Sequence, residues 1–134
     1  MPRYLLDSNA LRDYLERLSA VHRRAAEERR RGARLGIGTP VLAETLAGLE
    51  RSTSRVRNQA ALSAALPTLT IWPFDRAAAV EYATIHARLL ATGRPIQTND
   101  IMIAAIARTL GATVVTKDGD FAAIKGLAVE DWTE

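Results

Sequence analysis

Short apolar segments alternate with longer helical segments along this chain of 134 residues, and that alternation restricts the fold more than any other feature. Strands are predicted at residues 3–7, 35–37, 68–72 and 113–116, with a short last strand at 127–130. Strands that alternate with helices are typical of a parallel sheet whose connections are helical. We therefore predict an α/β fold with a central parallel sheet of four to five strands flanked by helices.

Helix ends are predicted from capping residues, prolines and glycines. Ser8 or Asn9 can cap a first helix that runs to about residue 18, and the Thr39 hydroxyl can cap a helix over 41–51 with Pro40 at its start. Other helices are expected at about residues 20–31, 53–66, 75–92 and 100–110. No repeat or linker interrupts this pattern, so residues 1–134 are expected to form one domain.

The composition excludes several classes of protein. The chain contains no cysteine, so disulfides, thiolate metal sites and thiol chemistry are ruled out. No stretch approaches the roughly 20 apolar residues of a membrane span, and the N-terminus shows no signal-peptide pattern. We therefore expect a cytoplasmic protein that does not enter a membrane.

Four carboxylates lie in otherwise apolar stretches, where a surface acid is not expected: Asp7, Glu44, Asp100 and Asp118. Two of them follow predicted strands, and the other two lie at or near helix starts. Ligands gather beyond the carboxyl ends of parallel strands, so these side chains are expected to meet. Buried carboxylates need a cation or hydrogen-bond donors to compensate them. The set therefore predicts a metal site, and the small or apolar neighbours of Glu44 predict that its side chain is buried.

Each acid also has an ordinary explanation when it is taken alone. Asp7 and Asp100 could be helix caps or first-turn acids, and Asp118 could be a turn residue before Gly119. Glu44 could be one half of a buried salt bridge. Four independent coincidences at one end of a sheet would then be required, whereas one shared site explains all four together.

The acids belong to short motifs that occur in a characteristic order. These are LLDSN at 5–9, TPVLAE at 39–44, NDIMIAA at 99–105, VTKDGDF at 115–121, and GL at 126–127 with Trp132. In order and spacing, over essentially the whole chain, they resemble the motifs of the PIN-domain ribonucleases, and more narrowly those of the VapC toxins of toxin–antitoxin modules. One departure is that only Gly119 separates Asp118 from Asp120, where many relatives have two residues.

The resemblance implies an endoribonuclease that leaves 3′-hydroxyl and 5′-phosphate ends, and hard carboxylate oxygens select Mg²⁺ or Mn²⁺ as its cofactor. Asp7 and Asp100 are then the principal metal ligands, and Asp118 is a third ligand or holds a water. Glu44 either supports the metal ligands or acts as a base that orients the attacking water. Asp118 is preferred to Asp120 for the fourth position, because Asp120 is placed to cap a short helix that begins at Phe121.

The resemblance also implies three partners: an RNA substrate, an antitoxin that covers the acidic site, and a second copy of the chain in a homodimer. The preferred candidates for phosphate contacts are arginines with few acids nearby in the sequence, namely Arg29, Arg30, Arg31 and Arg34. A second basic group consists of Arg51, Arg55 and Arg57. The apolar helix faces within 41–49 and 60–66 are candidate docking surfaces for a partner protein.

Two alternatives remain: another Mg²⁺-binding α/β protein, or a protein with the same fold and no catalytic activity. A Mg²⁺-dependent phosphatase of the haloacid-dehalogenase type and a response-regulator receiver also place an aspartate after the first strand. The phosphatase requires another acid where Asn9 stands, and the receiver requires paired acids where Leu6 and Asp7 supply one. The other class is a catalytically silent, RNA-binding scaffold with the same fold, which the presence of all four acids disfavours.

Overall fold

A single five-stranded sheet forms the centre of the protein, with all neighbouring strands parallel. The computed structural model describes residues 1–133. The strands are β1 (Arg3–Leu6), β2 (Arg34–Gly38), β3 (Thr70–Trp72), β4 (Thr113–Val115) and β5 (Ala128–Glu130). Their order across the sheet is β3-β2-β1-β4-β5, which confirms the predicted α/β fold and parallel sheet.

Six helices flank the sheet within the described residues: α1 (Ser8–Leu15), α2 (Ala20–Arg30), α3 (Thr39–Glu50), α4 (Arg55–Ala65), α5 (Arg76–Ala91) and α6 (Thr98–Leu110). Short 3₁₀ helices follow at Leu66–Thr68 and Gly119–Ala123. Helix α6 ends at Gly111, whose φ of +66° is the left-handed conformation that glycine adopts without steric cost. None of the helices in residues 1–133 combines the length and the apolar character that a membrane crossing requires.

The capping residues predicted for α1 and α3 were wrong. Asp7, rather than Ser8 or Asn9, caps α1, since its side chain accepts a hydrogen bond from the Ala10 backbone amide. Helix α3 begins at Thr39 after Gly38, and the Thr39 hydroxyl accepts from the Phe74 amide at 3.0 Å instead of capping its own helix. Thr39 therefore ties α3 to the segment that follows β3.

The strand order changes direction between β1 and β4, and this switch point positions the functional side chains. The chain builds β1, β2 and β3 outward in one direction, and then returns to place β4 on the other side of β1. Both strands are buried, and α6 packs its apolar face, including Ile103 and Ile106, into the same core. Such a switch point in a parallel sheet leaves a crevice at the carboxyl ends of the two strands, where ligands bind.

Candidate active site

Asp7 lies directly at this crevice, one residue beyond the end of β1. Its backbone amide donates to the Val115 carbonyl at 3.1 Å, so the residue is tied to the end of β4. Its side chain is only 4% exposed, and its two oxygens accept from the Ala10 amide at 2.8 Å and from the Thr116 hydroxyl at 2.5 Å. Burial raises the pKa of the Asp7 carboxyl, the two hydrogen bonds oppose that rise, and the charge of Asp118 adds to it.

Asp100 is the acid whose pKa is affected by the charges of the other acids. It lies in the first turn of α6 and is half-buried. Burial raises the pKa of Asp100 to about 6, and the charges of Asp118, Asp7, Glu44 and Asp120 contribute in that order. The structure therefore brings the four acids predicted from the sequence to one edge of the sheet, and it adds a fifth, Asp120.

Glu44 is exposed rather than buried, so the prediction of a buried side chain was wrong. The small residues around it on α3 leave it open to solvent instead of pressing it against other elements. Both of its oxygens are nevertheless held. Oε1 accepts from the Ser8 hydroxyl, and Oε2 accepts from the Asn99 side-chain amide at 3.0 Å. Glu44 thus links the starts of α1 and α6 to α3.

Asp118, rather than Asp120, caps the 3₁₀ helix at Gly119–Ala123, which corrects the predicted division of roles. The Asp118 side chain accepts from the Asp120 backbone amide at 2.9 Å, while its own amide donates to the Thr116 hydroxyl at 2.9 Å. Asp120 instead forms an ion pair with Arg94, at 2.9 Å, on the loop between α5 and α6. The pair is close to half exposed on both sides, so solvent screens it.

These contacts predict the relative stability of variants at the two positions. Asp118→Ala should be less stable than Asp118→Asn by about 1 kcal/mol, because both variants lose the charge that repels Asp100 but only alanine also loses the cap. Asp120→Ala should cost at most about 1 kcal/mol, because only an exposed ion pair is removed. Urea unfolding of the three variants measures these differences, and an Asp118→Ala variant that is as stable as Asp118→Asn would contradict the role of Asp118 as the cap.

The acidic side chains suit a hard divalent cation in their chemistry but do not form a closed cage. Within residues 1–133, no three acidic or histidine side chains are arranged so as to hold a metal ion as they stand. Mg²⁺ does not require such a cage, because it keeps several waters and is bound through one or two carboxylates together with substrate phosphates. Burial raises the pKa of Asp100 most, and the repulsion from neighbouring acids that adds to this rise is what a cation between these groups would relieve.

The four arginines preferred for RNA contacts lie away from the acids. Arg34 begins β2 and is in register with Arg3, so it lies at the amino edge of the sheet, about 13 Å from the carboxyl edge at 3.3 Å per residue. Arg29 and Arg30 end α2 shortly before it, and Arg29 donates to the Tyr14 hydroxyl at 2.9 Å. The expectation that Arg31 has few nearby acids was wrong, because it pairs with Glu27 at 2.6 Å and with Glu28 at 3.7 Å.

A groove of about 730 Å³ opens beside Ser8 and Glu44, between α1, α3 and α4. Three arginines line it: Arg12, Arg51 and Arg57. No carboxylate in residues 1–133 lies within 4.0 Å of any of the three guanidinium groups, whereas Arg55 pairs with Glu50 at 3.2 Å. Leucines of α1, α3 and α4 line the groove between the arginines. Arg12 was not identified from the sequence, because an isolated arginine on an amphipathic helix gives no local signal.

Comparison with known proteins agrees with this geometry. The PIN domain family model matches residues 4–127. The tRNA(fMet)-specific endonuclease VapC of Shigella flexneri is 35% identical over 98 residues, which are 72% of this chain and 74% of that protein. Ribonuclease VapC2 of Haemophilus influenzae is 31% identical over 98% of this chain and 99% of its own length.

Solved structures give the same result. The VapBC2 structure from Rickettsia felis, bound to a DNA fragment from its promoter, contains a chain that superposes with a TM-score of 0.90. That chain is 27% identical, and the match covers 97% of this chain and 98% of that one. The strand order also differs from the 2-1-3-4-5 order of receiver-like folds. The chain therefore belongs to the PIN-domain family and, within it, to the VapC ribonucleases.

Proposed function

We propose that this protein is a Mg²⁺- or Mn²⁺-dependent endoribonuclease that acts as the toxin of a toxin–antitoxin module. The observation that carries the proposal is the grouping of acids at the crevice between β1 and β4. The Thr116 hydroxyl donates to Asp7 and accepts from the Asp118 amide, and Glu44 accepts from Asn99, the residue before Asp100. Relatives with the same fold over nearly their full length are ribonucleases, which supports the same chemistry here. The receiver and phosphatase alternatives do not account for this set of acids.

The roles of the acids follow from their surroundings. A bound divalent cation would neutralise charge on the scissile phosphate and make water more acidic. Asp7 and Asp100 are its proposed ligands, with Asp118 as a third ligand or as an acceptor for water. Asp7 is rigidly held by Ala10 and Thr116, so it can keep its position as charge changes nearby. Glu44 is exposed and fixed at both oxygens, which suits a group that orients the attacking water.

The groove beside Glu44 is the proposed path of the RNA backbone. Its three arginines are free of acidic partners within residues 1–133, and guanidinium groups bind phosphates with two parallel hydrogen bonds. Arg51 and Arg57 belong to the second basic group recognised in the sequence, and Arg12 joins them across the groove. The arginines at the amino edge of the sheet would require RNA to pass around the domain to reach the acids.

Glutamine substitutions in the groove test this path. Arg51→Gln and Arg57→Gln should each raise KM for RNA and leave kcat nearly unchanged. Each should also reduce the slope of log K against log salt concentration by about 0.7, the value for one lost phosphate contact on a single strand. Arg34→Gln at the amino edge is the matched control. A larger effect of Arg34→Gln than of the two groove substitutions would indicate that RNA binds at the amino edge of the sheet instead.

An antitoxin segment is proposed to lie over the same groove. The groove is lined by residues of α3 and α4 that include Gly48, Leu49, Ala61 and Leu62, which fall within the helix faces predicted as docking surfaces. Structures of relatives that contain both the VapB and VapC chains support such a partner. A segment in this place would exclude RNA from Glu44 directly. The expected homodimer stays a prediction, for which sedimentation of the purified protein is the measurement.

The experiment for the proposed function is RNA cleavage by the purified protein. We expect internal cuts that require Mg²⁺ or Mn²⁺ and that leave 5′-phosphate ends. Two relatives are named for tRNA(fMet), so this RNA is the first substrate to test, beside ribosomal and messenger RNA. RNA binding without cleavage under all metal conditions would instead support the catalytically silent scaffold.

A further inference from the structure

Asn99 makes a contact that the proposed roles of the acids do not explain. Its side-chain amide donates to Glu44 Oε2 at 3.0 Å, from the second residue of α6 to the middle of α3. The other oxygen of Glu44 accepts from the Ser8 hydroxyl at the start of α1. The two donors come from helices 36 and 55 residues away from Glu44 in the sequence, so only the folded chain assembles this arrangement.

The two hydrogen bonds to Glu44 add little net stability, so stability is a weak reason for them. An exposed glutamate that is held in one rotamer loses side-chain conformational entropy. The two hydrogen bonds that hold it replace hydrogen bonds to water, so their net gain roughly offsets that loss. A salt bridge would be the usual structural partner, but no lysine or arginine in residues 1–133 lies within 4.0 Å of Glu44. The orientation of Glu44 is therefore fixed by neutral donors and not by a cation.

We propose that Asn99 is a positioning residue that holds Glu44 at a set distance from Asp100. Asn99 and Asp100 are consecutive residues in the first turn of α6, so one rigid turn carries both the amide that holds Glu44 and the acid at the centre of the cluster. Helix α6 is anchored by buried residues that follow directly, beginning with Ile101. The spacing of Glu44 and Asp100 is thereby set by the core. This inference rests on the proposed ribonuclease function.

The chemical type of the residue fits this role. A neutral amide donates a hydrogen bond without neutralising the carboxylate, so Glu44 remains able to attract water. A lysine or arginine at position 99 would compete for that charge. An aspartate there would place a like charge against Glu44 and remove the donor. Asparagine and Ser8 together orient Glu44 from both sides.

The test is a double-mutant cycle on RNA cleavage, with Asn99→Ala made in the wild-type protein and in a Glu44→Ala background. In the wild type, Asn99→Ala should lower kcat about tenfold and leave KM unchanged, since a general base contributes on the order of 100-fold or more and is only misplaced here. In the Glu44→Ala background, the same substitution should change kcat by less than about twofold. Thr98→Ala, one residue earlier in α6, is the matched control and should change neither parameter.

A second measurement does not depend on activity. The side-chain amide signals of Asn99 in NMR spectra of the metal-free protein should move on Glu44→Ala and stay in place on Thr98→Ala. Asn99→Asp should lower kcat more than Asn99→Ala does, because it adds repulsion to the lost donor.

The possible failures are distinguishable. An equal loss of kcat on Asn99→Ala with and without Glu44, or amide signals that ignore Glu44→Ala, would overturn the role of Asn99 while cleavage itself remains. A wild-type protein that cuts no RNA in any divalent metal would overturn the proposed function, and the inference with it.

Discussion

Replacement of Asp100 by asparagine is expected to abolish RNA cleavage and, at the same time, to stabilise the metal-free protein at neutral pH. The amide keeps the volume of the side chain but loses the charge that would hold a cation, so cleavage should fall by about 1,000-fold or more. The stabilisation has an electrostatic origin. Burial and the charges of the neighbouring acids raise the pKa of Asp100 from 3.8 to about 6, so its ionised form is disfavoured in the folded state.

The dependence on pH follows from the direction of that shift. Between pH 3.8 and about 6 the folded protein binds more of this proton than the unfolded protein does, so the contribution of Asp100 to stability is lost as pH rises. Asparagine does not titrate, so the Asp100→Asn variant does not lose stability in this way as pH rises. Its melting temperature without metal should therefore exceed that of the wild type at pH 7, and the difference should disappear as pH falls below 4.

Thermal melts of both proteins across this pH range are the measurement. Thr98→Ala is again a suitable control, because it changes the same turn of α6 without changing a charge. Two results would contradict the assignment of Asp100: wild-type rates of cleavage by Asp100→Asn, or a melting temperature below that of the wild type at pH 7.

Removal of divalent metal is expected to reduce RNA cleavage about as much as Asp100→Asn does. The acids repel one another, and no histidine accompanies Asp7 or Asp100 among the groups that shift their pKa values. Hydrolysis then depends on a cation for charge neutralisation, and exhaustive chelation should reduce cleavage by about 1,000-fold or more. Added Mg²⁺ or Mn²⁺ should restore it.

The same titration should change stability, which separates metal binding from turnover. A ligand that binds only the folded state raises the melting temperature with its concentration. Wild-type protein should show this rise, and Asp100→Asn should show much less. Cleavage that persists undiminished after chelation, in protein whose melting temperature does not respond to metal, would exclude the proposed mechanism.

The sheet and most of the helices could be predicted from the sequence, because their signals are local. Apolar runs bounded by glycine and proline identified all five strands. The helix predicted from residue 75 is also present, because Asp75 caps α5 by accepting from the Ala78 amide at 2.9 Å. The grouping of the acids was also predictable. The carboxyl ends of parallel strands share one edge, so an acid after β1 and another after β4 reach that edge whatever the details of packing.

Three features were decided only by the tertiary structure. The sequence contains no local signal that β4 lies beside β1, and this pairing is what ties Asp7 to Val115 and Thr116. The choice between Asp118 and Asp120 as the cap depended on a turn whose geometry Thr116 helps to set. The sequence shows where the arginines occur along the chain. Which of them lie near the acids depends on how the helices pack against the sheet.

Glu44 shows most clearly where local reasoning ends. From its neighbours on α3 it was expected to be buried, yet it is exposed and held by Ser8 and Asn99 from two other helices. Residue types and their periodicity determined which acids this protein would bring to one edge of its sheet. How each acid is oriented, and by which donor, was decided by contacts between segments far apart in the chain, because side-chain hydrogen bonds of this kind form only after the helices have packed.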